Sequence, residues 1–343
     1  MSFRLTSQFQ IGNYQFSGGV NQVEIKRSVK DIVDTAVITM PALVSSNSVN
    51  MPNSSIKTST LFNEGDPVVI NLGYNFNNVQ EFKGFVRRVN ASIPVKIECE
   101  GYAWQLRRQR MPGSWPSIQL KEYLQLLVQN TNIQLSQYIP DYQLTNLKSN
   151  RKNCLDDLEF LRDHCYLSVY FLFDTLFVGS EDGVQGAGAT AGPNPAPIFQ
   201  LGWNTFRDDK LKWRKITDNP LLVRMVASKG NNKQRPVYTY GTTGGSVVTD
   251  DIANVSGDTA INSIAQDTYN KACYTGYEGS ITGFLQPYVQ MCDTANLQDP
   301  LYKVRQGAFF TQGTNVKFGV GGATREIFLG QSIGPVTPAT DAS

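Results

Sequence analysis

The sequence is poor in the residues that most catalytic and metal chemistry uses. Its 343 residues include a single histidine, His164. A Ser–His–Asp or Cys–His site would have to be built on that residue. It lies between Asp163 and Cys165 near the end of an expected helix, where a partly charged imidazole interacts well with free carbonyls, a structural role. Zinc needs ligands in close pairs, which this chain does not offer. The 5 cysteines, Cys99, Cys154, Cys165, Cys273 and Cys292, are odd in number and include no Cys-x-x-Cys pair. They read as reduced thiols, several in cores, in a protein assembled in a reducing cytosol. An excess of charge is missing too. A net charge of +2 gives no argument for a nucleic-acid or membrane-surface partner. No apolar run approaches the ~18 residues of a membrane helix, so no membrane segment is expected. The N-terminus, MSFRLTSQFQIGNY, has no signal-peptide core and reads as mature protein. No catalytic residue, no cofactor and no metal is assigned.

What is present is enough apolar material for sizeable cores: 41% hydrophobic against 17% charged residues. The length suggests two or three domains. The chain is organised around Asp66 to Arg110. Val68, Ile70 and Leu72 alternate with Val69 and Asn71, the period of a strand with one buried face. A polar turn, Gly73 to Asn78, leads to a strand with Phe82-Lys83-Gly84-Phe85-Val86. Val95, Ile97 and Cys99 then alternate with Lys96, Glu98 and Glu100. A glycine inside a strand marks a bend or a close backbone approach, so Gly84 points to a sharply coiled sheet. The same pattern also fits a generic antiparallel sheet.

Taken in order, Phe3 to Met40 reads as β structure, with a β-rich run Ile32 to Met40 broken at Asp34-Thr35. Ser45 to Ser59 is an exposed loop, either an ordinary hairpin loop or a partner-binding one. Met111 to Pro116 is a hinge whose prolines and glycine stop the sheet. A helix with Leu120, Leu124, Leu127 and Val128 on one side follows, with Ser117 as its N-cap. Asn153 caps a second helix, with Asp156, Asp157 and Glu159 in its first turns and an apolar stripe of Leu155, Leu158, Leu161 and Cys165. Tyr166 to Val178 is a β-hairpin turning at Asp174-Thr175. Glu181 to Pro197 is Gly, Ala and Pro-rich, an exposed linker. A second β region starts at Ile198. Asp258 caps a short helix with Ile261, Ile264, Ala265 and Ala272 on one side. Tyr302-Lys303-Val304 and Arg325 to Leu329 are the clearest late strands, and Gln331 to Ser343 is a loose tail.

The division is thus 1–110, a first β domain; 111–197, an α+β insert with its linker; 198–330, a second β domain; and 331–343, a tail. The fold class is mainly β with an α+β insert.

The remaining chemical candidates are weak. Adjacent Asp156 and Asp157 point about 100° apart on a helix, unsuited to an acid/base pair. Glu98 and Glu100 share a strand face that would meet solvent or a partner, whereas glycosidase chemistry needs carboxylates across a cleft. Gly319 to Thr324 resembles half a phosphate loop, but without Lys or a following helix it is a glycine turn. The clusters Arg87-Arg88 and Arg107-Arg108-x-Arg110 face nucleic acid or form salt bridges at a subunit interface.

At this point the chain resembles the baseplate hub proteins of bacteriophage tails, including the late control protein D group and the N-terminal hub part of type VI secretion spike proteins. Leu72-Gly73-Tyr74 followed by Phe82-x-Gly84-x-Val86 is similar to the family's first barrel. Ile97 to Tyr102, running on to Leu106, is similar to the strand leaving it. Asn153 to Gly179 resembles its helix and hairpin. Pro300 to Val304, through to Leu329-Gly330, resembles the closing strands of its second barrel. The order of these parts is more specific than any one of them. Two departures stand out. Phe284 to Tyr288 lacks the family's Pro-Gly-Asp turn, and no oligonucleotide/oligosaccharide-binding-type domain or needle follows the second barrel, so the spike would be a separate chain.

The resemblance implies two barrel-like β domains flanking a helix-hairpin domain. It implies a homotrimer whose six lobes adapt a sixfold tail tube protein to a threefold central spike protein, among other baseplate proteins. The location would be the virion, at the tail baseplate or tail tip, with assembly in the host cytoplasm. Genomic DNA would pass through the channel without specific binding. The runner-up is a carbohydrate-binding or carbohydrate-acting tail-tip protein, with a cleft lined by exposed aromatics such as Trp104, Trp115 and Trp203. A third reading, an enzyme, lacks a site.

Overall fold

The computed structural model describes residues 4–46, 54–183, 197–206, 210–227, 235–302 and 306–333. The protein is mainly β with a small helical part. Its largest element is a 13-stranded sheet. From one edge this runs Lys212–Arg214, Gly276–Gly283, Gly322–Ser332, Gly307–Gly319, Gln22–Ser28, Thr35–Met40, Val95–Glu100, Asn77–Asn90, Pro67–Tyr74, Leu5–Ile11 and Tyr14–Phe16. Thr294–Gln298 adds to the Gly307–Gly319 strand, and Ile198–Gln200 pairs with it in parallel. No closed barrel forms among the described residues.

The alternation in the organising stretch is that of half-buried strands. Val68, Ile70 and Leu72 face inward from Pro67–Tyr74, and Val95, Ile97 and Cys99 from Val95–Glu100. The strand around Gly84 is longer than its apolar signature, covering Asn77–Asn90. Gly84 is a close approach: a Cβ there would lie 2.2 Å from the backbone oxygen of Glu100.

The two β regions are joined. Gly313 to Gly319 pairs antiparallel with Ser28 to Gln22, so the sheet runs without a break from one region into the other. The long hairpin made by Gly307–Gly319 and Gly322–Ser332 serves two cores. Its tip half sends Val316, Phe318 and Ala323 in among Phe9, Ile25, Ile70 and Ile97. Its base half sends Phe309, Ile327 and Leu329 in with Tyr277, Ile281 and Leu297. Shifts of register at Phe309/Thr311 and Thr311/Gly313 fall between the halves, where a bulge re-aims the strand from one core to the next.

The third core is the largest. It is built by helices Leu120–Val128 and Cys154–Cys165 and the hairpin of Ser168–Leu172 and Thr175–Gly179, together with Val223, Met225, Ile252, Ile261 and Ile264. The insert's core therefore draws on segments from both sides of residue 198, including the Asp258–Ala272 helix. On that helix Ala272 is exposed, outside the buried face of Ile261, Ile264 and Ala265.

Several local expectations are corrected. Gly113–Gln119 is a strand rather than a hinge that stops the sheet. It is an edge strand, and its ladder with Gln143–Ser149 skips Pro116, so the missing N–H costs no ladder bond. The helix that follows starts at Leu120 with Gln119 as N-cap, and Ser117 belongs to the strand. Asn153 does cap the second helix, accepting from the Asp156 N–H at 3.0 Å. The expected linker begins packed: the Glu181 N–H donates to Asp267 at 3.0 Å and its carboxylate accepts from Gln312 at 2.9 Å. Residues 184–196 of that linker lie outside the described residues. So do 47–53 of the Ser-rich loop, 303–305 of the expected Tyr302 strand and 334–343 of the tail. Tyr302 itself is not in a strand, while Gln331 and Ser332 still are.

Gly84→Ala should destabilise the protein by ~1–3 kcal/mol or more, because the backbone of Glu100 cannot move away without opening the ladder. Urea unfolding of the variant checks this; an unchanged midpoint would mean that the strands separate freely at Gly84.

Candidate functional site

The chemical candidates are dispersed and engaged. His164 is exposed, its ring 4.9 Å from that of Phe160 and its backbone carbonyl accepting from the Ala253 N–H. Asp157 is buried, held by Arg151 at 2.7 Å and the Ser149 hydroxyl at 2.9 Å, while Asp156 sits at the helix start. Glu100 is not on a solvent-facing side, as its alternation suggested. It is buried and paired with both Arg87 and Arg107, because the chain turns into the short helix Ala103–Arg107 just beyond it. Glu98 accepts from Asn90 at 2.7 Å.

Three arginines of the two clusters, Arg87, Arg107 and Arg108, therefore make ion pairs within the chain. Arg108 reaches Glu64 at 2.9 Å and lies over Trp104, and Arg110 donates to Asn150 and to the Arg151 carbonyl. Gly319 to Thr324 is the tight turn of the long hairpin, with Gly319 opposite Gly322. All five cysteines are buried and unpaired with one another. Burial pushes the Cys154 thiol up to about 11 and those of Cys165 and Cys292 up to about 12, which leaves no nucleophilic thiolate at neutral pH. Among the described residues no group of His, Cys, Asp and Glu could hold a metal ion.

Two buried arginines organise the joint between the β regions. Arg325, fully buried on the long hairpin, donates to Glu81 at 3.1 Å and to the Val289 carbonyl at 2.9 Å. The Tyr288 ring lies beneath its guanidinium at 4.8 Å, and the Tyr288 hydroxyl donates to the Gln80 carbonyl. Four strands separate Arg325 from Glu81 in the sheet order. In a flat sheet, five inter-strand steps of ~4.8 Å would hold them roughly 24 Å apart. The ion pair is thus direct evidence that the sheet is rolled.

Arg27, on Gln22–Ser28, is the second. It donates to Asp34 at 3.1 Å and to Gln290 at 3.2 Å, with the Phe173 ring 4.0 Å from its guanidinium carbon. One side chain therefore ties the first β region, the second and the hairpin turn of the insert. Lys83 adds a further tie to that turn through Asp174 at 2.7 Å. Burial pushes Asp34 up to about 6, its effect larger than that of the Arg27 charge. Asp293, which accepts from the Gln290 N–H at 2.9 Å, is also pushed up to about 6 by burial.

These residues carry a sequence signal in the register of their strands. Val23, Ile25 and Arg27 occupy successive inward positions of one strand, as do Ala323, Arg325, Ile327 and Leu329 of another. A charge in the apolar register of a strand must meet a partner inside.

No protein-family model and no curated protein matches this chain. Solved structures do match. The chain is similar to the tail protein from Neisseria meningitidis MC58, with TM-score 0.65 and 12% identity over 95% of this chain and 96% of that one. It is similar to the 43 kDa tail protein of prophage MuSo2 from Shewanella oneidensis, with TM-score 0.60 and 10% identity over 95% and 98%. It is also similar to a chain of the Francisella PdpA-VgrG complex, with TM-score 0.56 and 10% identity over 96% of this chain and 53% of that one. At such identities the likeness is one of fold.

Two outcomes follow for the joint. Glu81→Met leaves a buried guanidinium without its counter-charge and should cost ~3–5 kcal/mol, whereas the double change Glu81→Met with Arg325→Met should cost far less than the sum of the two single changes. Chemical denaturation of the four proteins gives the cycle; additive losses would mean that the two side chains do not interact.

The second outcome concerns pH. The pKa of Asp293 is raised from 3.8 to about 6, so its stabilising contribution is complete below the lower value and is lost as pH rises through the upper one. Asp293→Asn stays uncharged. Relative to wild type it should therefore gain on the order of 1–3 kcal/mol between about pH 4 and about pH 7.5. A difference that stays flat with pH would show that the native carboxylate is not penalised.

Proposed function

We propose that this chain, which has the fold of phage tail proteins, is a structural component of a phage or phage-like tail: the homotrimeric hub of a baseplate or tail tip. The observation that carries the reading is the joint between the β regions. Two β lobes share one sheet through the pairing of Gln22–Ser28 with Gly313–Gly319. A chain that carries two lobes side by side can stand in for two neighbouring subunits of a tube. Three such chains then present six lobes, which matches a sixfold tail tube on one side and a threefold central spike on the other. The tail proteins and the VgrG-containing complex among the matched structures support this reading.

On this proposal the division 1–110, 111–197, 198–330 and 331–343 describes two lobes, an insert and a tail. The partners are the tail tube protein, the spike and other baseplate proteins, in the virion. The role is not enzymatic, and DNA passes through the channel without specific binding. Rigidity is the property such an adaptor needs. The buried ion pairs of Arg27 and Arg325 supply it by fixing the angle at the joint.

Image averaging of the assembled tail or of the purified ring should show threefold symmetry with an approximately sixfold inner face. It should also give superposable folds for Ser2 to Arg110 and for much of Ile198 to Gly330. A true sixfold ring of six copies, or a chain that stays monomeric with its tube and spike partners present, would sink the hub assignment.

A further inference from the structure

A cleft of about 1000 Å³ opens where the two β regions meet. Its aromatic walls come from Tyr74, Trp203, Phe206 and Phe284, with Asn77 and Gln286 among them. Trp203 is 80% exposed, at odds with the usual place of so large an apolar ring. The exposure is not a sign of looseness. Asn204 fixes the turn that carries Trp203 by donating to the Ile198 carbonyl and accepting from the Gln200 N–H, both at 2.8 Å. The Trp203 N–H donates to the Gln200 carbonyl at 3.1 Å. Phe206 and Phe284 form a tilted pair 5.5 Å apart. Beside the cleft, Phe76 is 75% exposed and sits at φ 67, a left-handed position that a glycine or asparagine would occupy at lower cost.

The chemistry of the lining selects its occupant. No charged side chain lines the cleft among the described residues, which argues against phosphates, nucleic acid and acidic peptides. A purely apolar ligand would strip water from the Asn77 and Gln286 amides and return nothing. A sugar ring meets both demands. Its C–H face carries partial positive charge and suits the negative face of an aromatic ring, and its hydroxyls suit amide groups that donate and accept. The braced turn spares the backbone part of the ordering cost of binding.

We propose that this cleft binds a neutral oligosaccharide, with Trp203 as the stacking platform and Asn77 and Gln286 as hydroxyl partners. The inference does not rest on the hub assignment.

Trp203 is also a built-in reporter. Of the 4 tryptophans, Trp104, Trp115 and Trp213 are packed against Phe85, Tyr123 and Tyr277. The full chain should be titrated with maltohexaose, cellohexaose and chitohexaose, followed by tryptophan emission and by calorimetry. At least one sugar should bind with a shift in emission. Trp203→Ala should weaken binding by about tenfold or more, equivalent to ~1.4 kcal/mol. Gln286→Ala should weaken it less, and neither should change the melting temperature, since both side chains are exposed. Absence of binding to all three sugars at millimolar concentration would overturn the proposal. So would binding that Trp203→Ala leaves intact. A wild-type oligomer in which Trp203 resists acrylamide quenching, and which Trp203→Ala dissociates, would assign the cleft to a protein contact instead.

Discussion

Everything in this molecule depends on one antiparallel pairing, that of Gln22–Ser28 with Gly313–Gly319. Segments almost the full length of the chain apart share a ladder, so neither β region completes its sheet without the other. The closure of so long a loop costs entropy, although that cost grows slowly with length. What offsets it is burial. Val316, Phe318 and Ala323 enter the first region's core only when the ladder is formed.

Hydrophobic burial alone would leave the roll of the sheet loosely defined, since apolar contacts are non-directional. The buried ion pairs add direction. Arg325 must reach Glu81 across the rolled sheet, and Arg27 must meet Asp34, Gln290 and Phe173 together. Such groups are costly to desolvate and contribute little net stability over apolar substitutes. Their effect is to penalise every arrangement in which a buried guanidinium loses its partner. The raised pKa values of Asp34 and Asp293 are the visible sign of that desolvation.

The same pairing engages the acidic side chains of the described residues that the sequence offered as chemical candidates. The carboxylates that looked available, Asp157 and Glu100, are spent on ion pairs, and the thiols are buried. One surface feature of the described residues that none of these pairs occupies is the cleft at the joint, with Trp203 held out on a braced turn.

Much was legible in the sequence, because strand and helix faces are written in local periodicity. The alternations in Pro67–Tyr74 and Val95–Glu100, the Asn153 cap, the Ser168–Gly179 hairpin and the close approach at Gly84 all follow from neighbours within a few residues. Where a local signal misled, a tertiary partner was the reason. Pro116 read as a stop, yet it sits in an edge strand whose free side absorbs the missing N–H. Glu181 read as linker, yet Asp267 and Gln312 hold it. The distant partners could not be read at all, since Gln290 lies hundreds of residues from Arg27, and Glu81 from Arg325. Sequence by itself determined which residues turn inward, because that is set by a repeat of two or of 3.6 along the chain. Tertiary structure alone decided that the two β regions form one rolled sheet, and that Trp203 stands over a cleft between them, because strand neighbours are chosen by burial summed over the whole chain.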